Sequence, residues 1–260
     1  LYTSAYTVLF DDSYQDNTFG HINFCLAKLY KSSKKNTLYT EHWKRAKQYL
    51  HKAKEADKAE AVFYRNYGAM LESGEYCDND DDYIERLRSA QVEYRKAISI
   101  DRKDINSYVL IASAVMKIIK KEINYNARLD EGKALHQFSK YDLDYSKYET
   151  DFEEAELYLD LALKLDCSNL YVQYKYAEFL SLKRLLNGGS GISDSRILGI
   201  FDYVLNIDPN LVPALLQKRN FLESVNRMTE AIEVNNYIIR VDKSAINDAK
   251  RWKSVFVTGV

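Results

Sequence analysis

An acidic run is the first place in this sequence where chemistry could occur. Residues 78–82 read DNDDD, which begins like a calcium-binding EF-hand loop of alternating oxygen ligands. That loop requires glycine at its sixth position and glutamate at its twelfth, where this chain has Tyr83 and Ser89. We therefore predict an acidic loop that caps a helix starting near Tyr83, and no calcium site.

A glycine-rich segment is the second candidate. Residues 188–191 read GGSG, but the Lys-Ser/Thr pair and the preceding apolar strand of a phosphate-binding loop are both missing. We predict a flexible turn there, with Ser193 or Asp194 capping the next helix.

The histidines show no metal-binding or catalytic pattern. His21, His42, His51 and His136 form no H-x-x-x-H pair, and we identify none at ligand spacing from a cysteine. No nucleophile elbow and no catalytic Cys–His arrangement is recognisable. These observations predict a non-enzymatic chain with no metal and no cofactor.

The composition indicates a globular helical protein. Hydrophobic residues make up 46% and charged residues 29% of the 260 residues. Two prolines and nine glycines are too few turn residues for an all-β fold of this length. The net charge of -1 gives no general attraction to nucleic acids or anionic membranes.

The cysteines and the hydropathy pattern bear on location. Cys25, Cys77 and Cys167 are odd in number and widely spaced, which favours a reducing, cytoplasmic compartment and no disulfides. No apolar run is long enough to span a membrane. The sequence begins at Leu1 without a signal-peptide pattern, and we expect it to be part of a longer protein.

The elements that would position any site follow a repeated spacing. Small or apolar residues recur four and then three positions apart, which places them on one face of a helix. The copies are Ala46/Leu50/Ala53, Ala90/Tyr94/Ala97, Ala155/Leu159/Ala162, Ile197/Phe201/Val204 and Ala231/Asn235/Ile238. A break between helices is predicted after each copy, near Lys58, Arg102, Cys167, Pro209 and Lys243.

A second pattern follows each break at a fixed offset. Its copies are Tyr64/Tyr67/Gly68/Leu71, Tyr108/Ile111/Ala112/Val115, Gln173/Tyr176/Ala177/Leu180 and Leu215/Lys218/Arg219/Leu222, with an earlier Asn23/Leu26/Ala27/Tyr30 and a last Ala249/Trp252/Lys253/Phe256. Small residues such as Ala53 and Gly68 are predicted where neighbouring helices approach closely.

These paired patterns resemble the tetratricopeptide repeat (TPR) family, whose units read W-x2-L-G-x2-Y, then A-x3-F, then A and a closing P. The resemblance implies an all-α fold, a right-handed α-α superhelix (TPR-like solenoid) of about five helix pairs plus a terminal helix. The expected repeats are about 20–58, 59–102, 103–167, 168–209 and 210–243, with the terminal helix at about 245–257. Only Pro209 keeps the closing proline, and Lys218 and Arg219 replace the Leu-Gly pair.

Extra residues enter only between the two helices of a repeat. The small residues of the two helices are separated by 19, 22, 43 and 20 positions in the first four repeats and by 12 in the fifth, which is the standard spacing. We predict loops along one edge of the solenoid, at about 32–40, 74–82, 120–150 and 186–193, the third with a helix at about 129–139.

The resemblance also implies a binding groove lined by the first helices. Carried over from the family, the inward-facing residues are Phe24, Lys28, Arg65, Ala69, Val109, Ser113, Tyr174, Glu178, Leu216 and Asn220, joined by Met116 and Tyr171. The family's clamp for C-terminal carboxylates is not predicted, because only Lys28 and Asn66 echo it. We predict a protein-interaction module that binds a protein or peptide partner through this groove and the inserted loops. The other hypothesis is that these side chains pack against the inserted loops.

Two other functions remain open at this stage. Residues 20–58 contain ten Lys/Arg against three Asp/Glu, whereas 140–166 contain three against nine. The basic end could bind RNA through Lys44, Arg45 and Lys47. Alternatively, the chain could be the sensor arm of a larger signalling NTPase.

Overall fold

The computed structural model describes residues 12–73, 80–123, 145–187 and 191–242. Over these ranges the chain is all-helical, with no strand. Its ten α-helices are α1 (Asp12–Ser32), α2 (Asn36–Lys54), α3 (Ala61–Ser73), α4 (Asp80–Ile100), α5 (Ile105–Glu122), α6 (Glu149–Leu165), α7 (Leu170–Leu186), α8 (Asp194–Ile207), α9 (Val212–Ser224) and α10 (Met228–Val241). A 3-10 turn, Tyr145–Tyr148, precedes α6. None of these helices is long and apolar enough to cross a membrane.

Consecutive helices pack on one another, as the repeat pattern predicts. Odd-numbered helices are the predicted first helices and even-numbered helices the second; α1 packs on α2, α3 on α4, α7 on α8 and α9 on α10. Helix α2 also packs on α3, α6 on α7 and α8 on α9, which joins successive pairs. The chain divides into two compact units, up to Ala114 and from Val115 onward, which are described separately below.

The repeated pattern of the second helices forms the core. All fifteen of its residues, from Ala46 to Ile238, are at most 1% exposed. Their burial confirms that the four-then-three spacing marks the inner face of each second helix. Asn235, the one polar member, is as buried as the others.

The helix ends agree with the predicted chain breaks. The gaps at 55–60, 101–104, 166–169 and 208–211 include the breaks predicted near Lys58, Arg102, Cys167 and Pro209. Ser193 caps α8, because its hydroxyl accepts a hydrogen bond from the Arg196 backbone N–H at 3.3 Å. Of the two residues predicted to cap that helix, Ser193 is therefore the cap.

The first predicted loop, 32–40, is wrong. Helix α1 continues to Ser32 and α2 begins at Asn36, so only a three-residue turn joins them. The turn is closed by the Lys35 backbone N–H, which donates to the Tyr30 carbonyl, and Lys34 adopts a left-handed φ of 57°. The turn between α9 and α10 has the same form, with Asn226 at a φ of 60°. The extra residues of the first repeat therefore lengthen its helices.

The register of α1 also differs from the prediction. A β-carbon added at Gly68 would lie 2.6 Å from the Tyr94 ring, and one added at Gly20 would lie 2.6 Å from Leu50. Gly20 in α1 therefore occupies the place of Gly68 in α3, the place that the spacing assigned to Ala27. Seven residues are close to two helical turns, so both positions lie on the same face of the helix.

The lengthened first pair gains the same amount on both helices. Twelve helical residues follow Gly20 in α1 and fourteen precede Leu50 in α2. The equivalent numbers around Arg219 in α9 and Asn235 in α10 are five and seven. Each helix of the first pair is thus longer by seven residues, and the added turns have their own core of Ala27, Tyr39 and Trp43.

Several predicted features lie outside the described residues. These are the inserted helix at about 129–139, the terminal helix at about 245–257, His136, Cys77 and most of the predicted loop at 74–82. Helix α1 begins at Asp12, eight residues ahead of the start predicted for the first repeat.

Candidate partner-binding site

The predicted groove residues of the first unit differ in their accessibility. Phe24 is 6% exposed and Val109 is fully buried, so their side chains pack inside the fold. Lys28 is exposed, and its ammonium group lies 5.3 Å from the centre of the Phe24 ring. The Arg65 guanidinium donates a hydrogen bond to the buried carboxylate of Asp104. In the register set by Gly20, Asn17 and His21 occupy the places that the spacing assigned to Phe24 and Lys28.

The predicted groove residues of the second unit lie on α5, α7 and α9. Met116 is 2% exposed and packs in the interior. Tyr174 is 8% exposed and packs against Val204 and Ala214. Leu216 and Asn220 are partly buried, and Tyr171 is 38% exposed with its ring edge against Tyr174.

Glu178 is the centre of a buried charged cluster in the second unit. Its two carboxylate oxygens accept separate hydrogen bonds from ammonium groups, Oε1 from Lys120 at 2.7 Å and Oε2 from Lys175 at 2.9 Å. Lys120 comes from α5, whereas Lys175 lies one turn before Glu178 on α7. The carboxylate therefore joins two first helices.

The electrostatics of this cluster favour the charged forms. Burial by itself would raise the pKa of Glu178, but the charges of Lys120 and Lys175 outweigh it and lower that pKa to about 2. Burial would likewise lower the pKa of Lys175, and the Glu178 carboxylate raises it above its ordinary value instead. Glu178 and Lys175 are therefore both ionised at neutral pH. Two opposite lysines leave Glu178 unsuited to act as a general base.

A cleft opens beside this cluster, between α7 and α9. It contains about 310 Å³ of space, including the part that is open to solvent. Two predicted groove residues, Glu178 and Asn220, line it. The full lining is Lys120, Glu178, Ser181, Leu182, Leu185, Gln217, Asn220, Phe221 and Ser224. We refer to it as the α7/α9 cleft.

A buried arginine holds one wall of the cleft. The Arg219 guanidinium donates to the side-chain oxygen of Asn220 from Nε at 3.2 Å and from Nη2 at 3.0 Å. Its Nη1 donates to Asn235 of α10 at 3.2 Å. Arg219, which stands where the repeat pattern has glycine, therefore fixes the orientation of the Asn220 side-chain amide.

Sequence reasoning missed several of these residues. Ser181, Gln217 and Ser224 line the cleft, although the family positions did not include them. The signal was present, because Ser181 follows Glu178 by three residues and therefore lies on the same side of α7. Lys175 was missed because the family positions gave no sign that its ammonium group pairs with the carboxylate of Glu178, three residues later.

One conclusion about the histidines is wrong. His21 and Cys25 are one turn apart on α1, with 3.7 Å between Nε2 and Sγ, which is a ligand spacing that the sequence survey overlooked. Two ligands alone do not make a site, and among the described residues no group of three or more His, Cys, Asp or Glu side chains could hold a metal ion.

The basic end proposed as an RNA site is partly neutralised within the first unit. Arg45 forms an ion pair with Glu41 at 2.6 Å, and Lys52 forms one with Asp16 at 2.8 Å. The Lys47 ammonium lies 5.4 Å from the Trp43 ring centre. No contact in this region favours a nucleic acid over a protein.

Solved structures resemble this arrangement of helices. TTC0263, a thermophilic TPR protein of Thermus thermophilus, superposes with a TM-score of 0.60 at 9% sequence identity, covering 91% of this chain and 98% of that one. The fold is a TPR-like helical repeat. YrrB, described as a TPR protein with an unusual peptide-binding site, has a TM-score of 0.46 at 15% identity, covering 86% and 87%. No protein-family model matches the sequence, and no curated protein matches it.

Proposed function

We propose that this TPR-like chain is a non-enzymatic scaffold that binds a peptide segment of a partner protein in the α7/α9 cleft. The observation that carries the proposal is that this cleft lies between two first helices and contains Glu178 and Asn220, both of which the family pattern places in the groove. The exposed thiols of Cys25 and Cys167 support a reducing, cytoplasmic location as part of the same proposal.

The lining of the cleft suits an extended peptide. Leu185 is partly buried and gives the cleft an apolar contact for a partner's side chain, and the buried Leu182 and Phe221 lie behind it. The Gln217 amide can both donate and accept hydrogen bonds, as a peptide backbone requires. Ser181 and Ser224 donate their protons to carbonyls of their own helices, so each hydroxyl oxygen can still accept. The cleft therefore combines apolar contact with backbone recognition.

The Glu178 cluster would position the cleft rather than contact the bound peptide directly. Both oxygens of Glu178 are occupied by lysines, which fixes the end of the cleft nearest α5. A rigid wall lowers the entropy cost of ordering side chains when a peptide binds.

The proposal is tested with peptides selected on the full chain from a random library. Gln217→Arg would put a bulky charged side chain into the cleft, and we expect it to weaken the selected peptides about tenfold, or about 1.4 kcal/mol. Tyr171→Ala removes an exposed aromatic side chain of α7 that does not line the cleft and is expected to weaken them less. Isothermal titration calorimetry provides the affinities.

The control is Tyr203→Ala, which removes a tyrosine of similar exposure, 43% against 38% for Tyr171, from the second helix α8. It should leave affinity unchanged. Peptides that bind Gln217→Arg as tightly as the parent chain would show that the cleft is not the binding site.

A further inference from the structure

His21 and Cys25 form an exposed pair of potential metal ligands on α1. The two residues are four positions apart, so one turn of helix places them on the same side. Both are exposed, and Nε2 of His21 lies 3.7 Å from Sγ of Cys25. An imidazole nitrogen and a thiolate sulfur are the ligands that structural zinc sites use most. The pair therefore has the chemistry of half a zinc site.

The distance within the pair already suits a zinc ion. Zinc binds a histidine nitrogen at about 2.1 Å and a cysteine sulfur at about 2.3 Å. Two such bonds to atoms 3.7 Å apart enclose an angle of about 115° at the metal, close to the tetrahedral angle of structural zinc sites. Zn²⁺ can therefore take the place of the thiol proton, which is released to solvent, without a change in the orientation of either side chain.

The side of α1 that carries the pair is one that the repeat leaves accessible. In the register set by Gly20, His21 and Cys25 correspond to Ala69 and Ser73 of α3. Both of these remain partly exposed although the second helix α2 packs against α3. A ligand can therefore reach this position even in a repeat that has a second helix before it.

One chain supplies only half of a tetrahedral ligand set. In the described part of the chain no third His, Cys, Asp or Glu completes the group. Zn²⁺ with a single thiolate would keep one net positive charge beside Lys28, which lies seven residues after His21 on the same side of the helix. A second copy of the pair adds another thiolate and another imidazole. The completed Cys₂His₂ centre is four-coordinate and electrically neutral.

We propose that the His21–Cys25 pair is a zinc-binding half-site, and that two copies of this chain bind one Zn²⁺ between their α1 helices. A two-fold axis through the metal gives both chains the same contacts, which is the commonest symmetry of protein oligomers. The pair lies in the first unit and is separate from the α7/α9 cleft. This proposal and the proposed peptide binding can therefore fail independently.

The proposal is tested by adding Zn²⁺ to the full chain in the presence of a phosphine reductant, which prevents a disulfide dimer. Light scattering should show the molar mass doubling as zinc approaches half an equivalent per chain. Excess EDTA should return the mass to that of the monomer. Co²⁺ in place of zinc should give the strong visible absorption of a tetrahedral ion together with a thiolate-to-cobalt charge-transfer band.

His21→Ala and Cys25→Ser should each abolish the zinc-dependent doubling of mass. Both side chains are exposed, so we expect the folded state to be retained, which the melting temperature checks. The matched controls are His51→Ala and Cys167→Ser, which remove an exposed histidine and an exposed cysteine elsewhere in the chain. Both controls should dimerise with zinc as the parent does.

Three results would overturn the proposal. Saturation at one zinc per chain with no change in mass would mean that a single chain completes the site. A dimer that persists in EDTA would show that the metal does not hold the two copies together. Equal zinc-dependent dimerisation of the parent, His21→Ala and Cys25→Ser would place the metal at other residues.

Discussion

At Glu178 a single carboxylate holds two lysines that would otherwise be costly to bury. Lys175 and Lys120 both donate to it, and it lies close to two uncharged cleft amides. Breaking a buried ion pair leaves an uncompensated charge, whose cost exceeds the value of an exposed pair several times over. Replacing Glu178 should therefore change how the stability of the chain depends on pH.

The pH dependence follows from the direction of its pKa shift. The folded-state pKa of about 2 lies below the ordinary value of 4.5, so the stabilisation is complete above about pH 5 and is lost as the pH falls from 4.5 toward 2. The shift corresponds to roughly 3 kcal/mol. Urea unfolding of Glu178→Gln should show this loss at pH 7 and a flatter stability profile between pH 5 and 2. Glu153→Gln, at an exposed position, should retain the parent profile.

Gly68 tests the close approach of α3 and α4. A β-carbon there would lie 2.6 Å from Cε1 of Tyr94 and 3.2 Å from the Ala90 carbonyl oxygen. Although alanine favours helix formation, the overlap should make Gly68→Ala less stable by about 1–2 kcal/mol. Gly199→Ala is the matched control, because its β-carbon would meet nothing within 4 Å. That change should stabilise the chain by about 0.5–1 kcal/mol in urea or thermal unfolding. Similar effects at both glycines would contradict the contact.

At this scale the sequence predicted burial well and register less well. The buried residues of the second helices were identified from their spacing, because an amphipathic helix packs one apolar face against the core. The register of α1 was wrong for the same reason. Gly20 and Ala27 are two turns apart and lie on the same face of the helix, so spacing alone could not distinguish them. Contacts made by side chains from separate helices, such as Lys120 with Glu178, leave no mark in a local pattern.

At the scale of elements, the α9/α10 pair shows how a departure from the repeat is accommodated. Elsewhere a small first-helix residue faces a large one on the second helix, as Gly68 faces Tyr94. In α9 and α10 the larger residue is Arg219 and the smaller one is Asn235, and both are buried. The sizes are exchanged between helices, so the space between them stays filled while a hydrogen bond satisfies the polar groups.

This exchange predicts strong coupling between the two positions. Arg219→Ala should leave a cavity and Asn235→Phe should overpack against the arginine, each costing roughly 2–4 kcal/mol. The double variant copies Ala177 and Phe201 of the preceding repeat. It should be more stable than the sum of the single changes by at least about 1 kcal/mol in a double-mutant cycle. Additive costs would mean that the two side chains do not share one space.

Helix ends were easier to predict than the connections between them. Asp, Pro and Lys residues near each break stop the apolar pattern at once, and the structure ends its helices there. The predicted loop at 32–40 is wrong because extra residues between two core positions can lengthen either the loop or the helices. Their number alone does not distinguish the two. Lys34, a residue that seldom adopts a left-handed φ, gave no turn signal where glycine would have.

For the whole molecule, the division into two compact units predicts that a destabilising substitution in one unit should mainly lower the stability of that unit. In helical repeats each element contacts its neighbours along the chain, so stability is close to a sum of neighbouring terms. Leu50→Ala in the first unit and Leu159→Ala in the second each remove a fully buried side chain. Each should cost about 2–5 kcal/mol. Hydrogen exchange read by mass spectrometry should lose protection in α1–α4 for the first variant and in α6–α10 for the second. A uniform loss in both would indicate one cooperative unit.

The seven-residue extension of both α1 and α2 has a consequence for how such chains change length in evolution. An insertion that is not close to a whole number of helical turns would rotate the residues beyond it and move core side chains toward solvent. Seven residues on each helix return every side chain to its former direction, and Ala27 with Trp43 then repeats the pairing of Gly20 with Leu50. A hairpin can therefore be lengthened or shortened by matched insertions of about two turns in both helices without altering its neighbours, so repeats of unequal height can stand side by side.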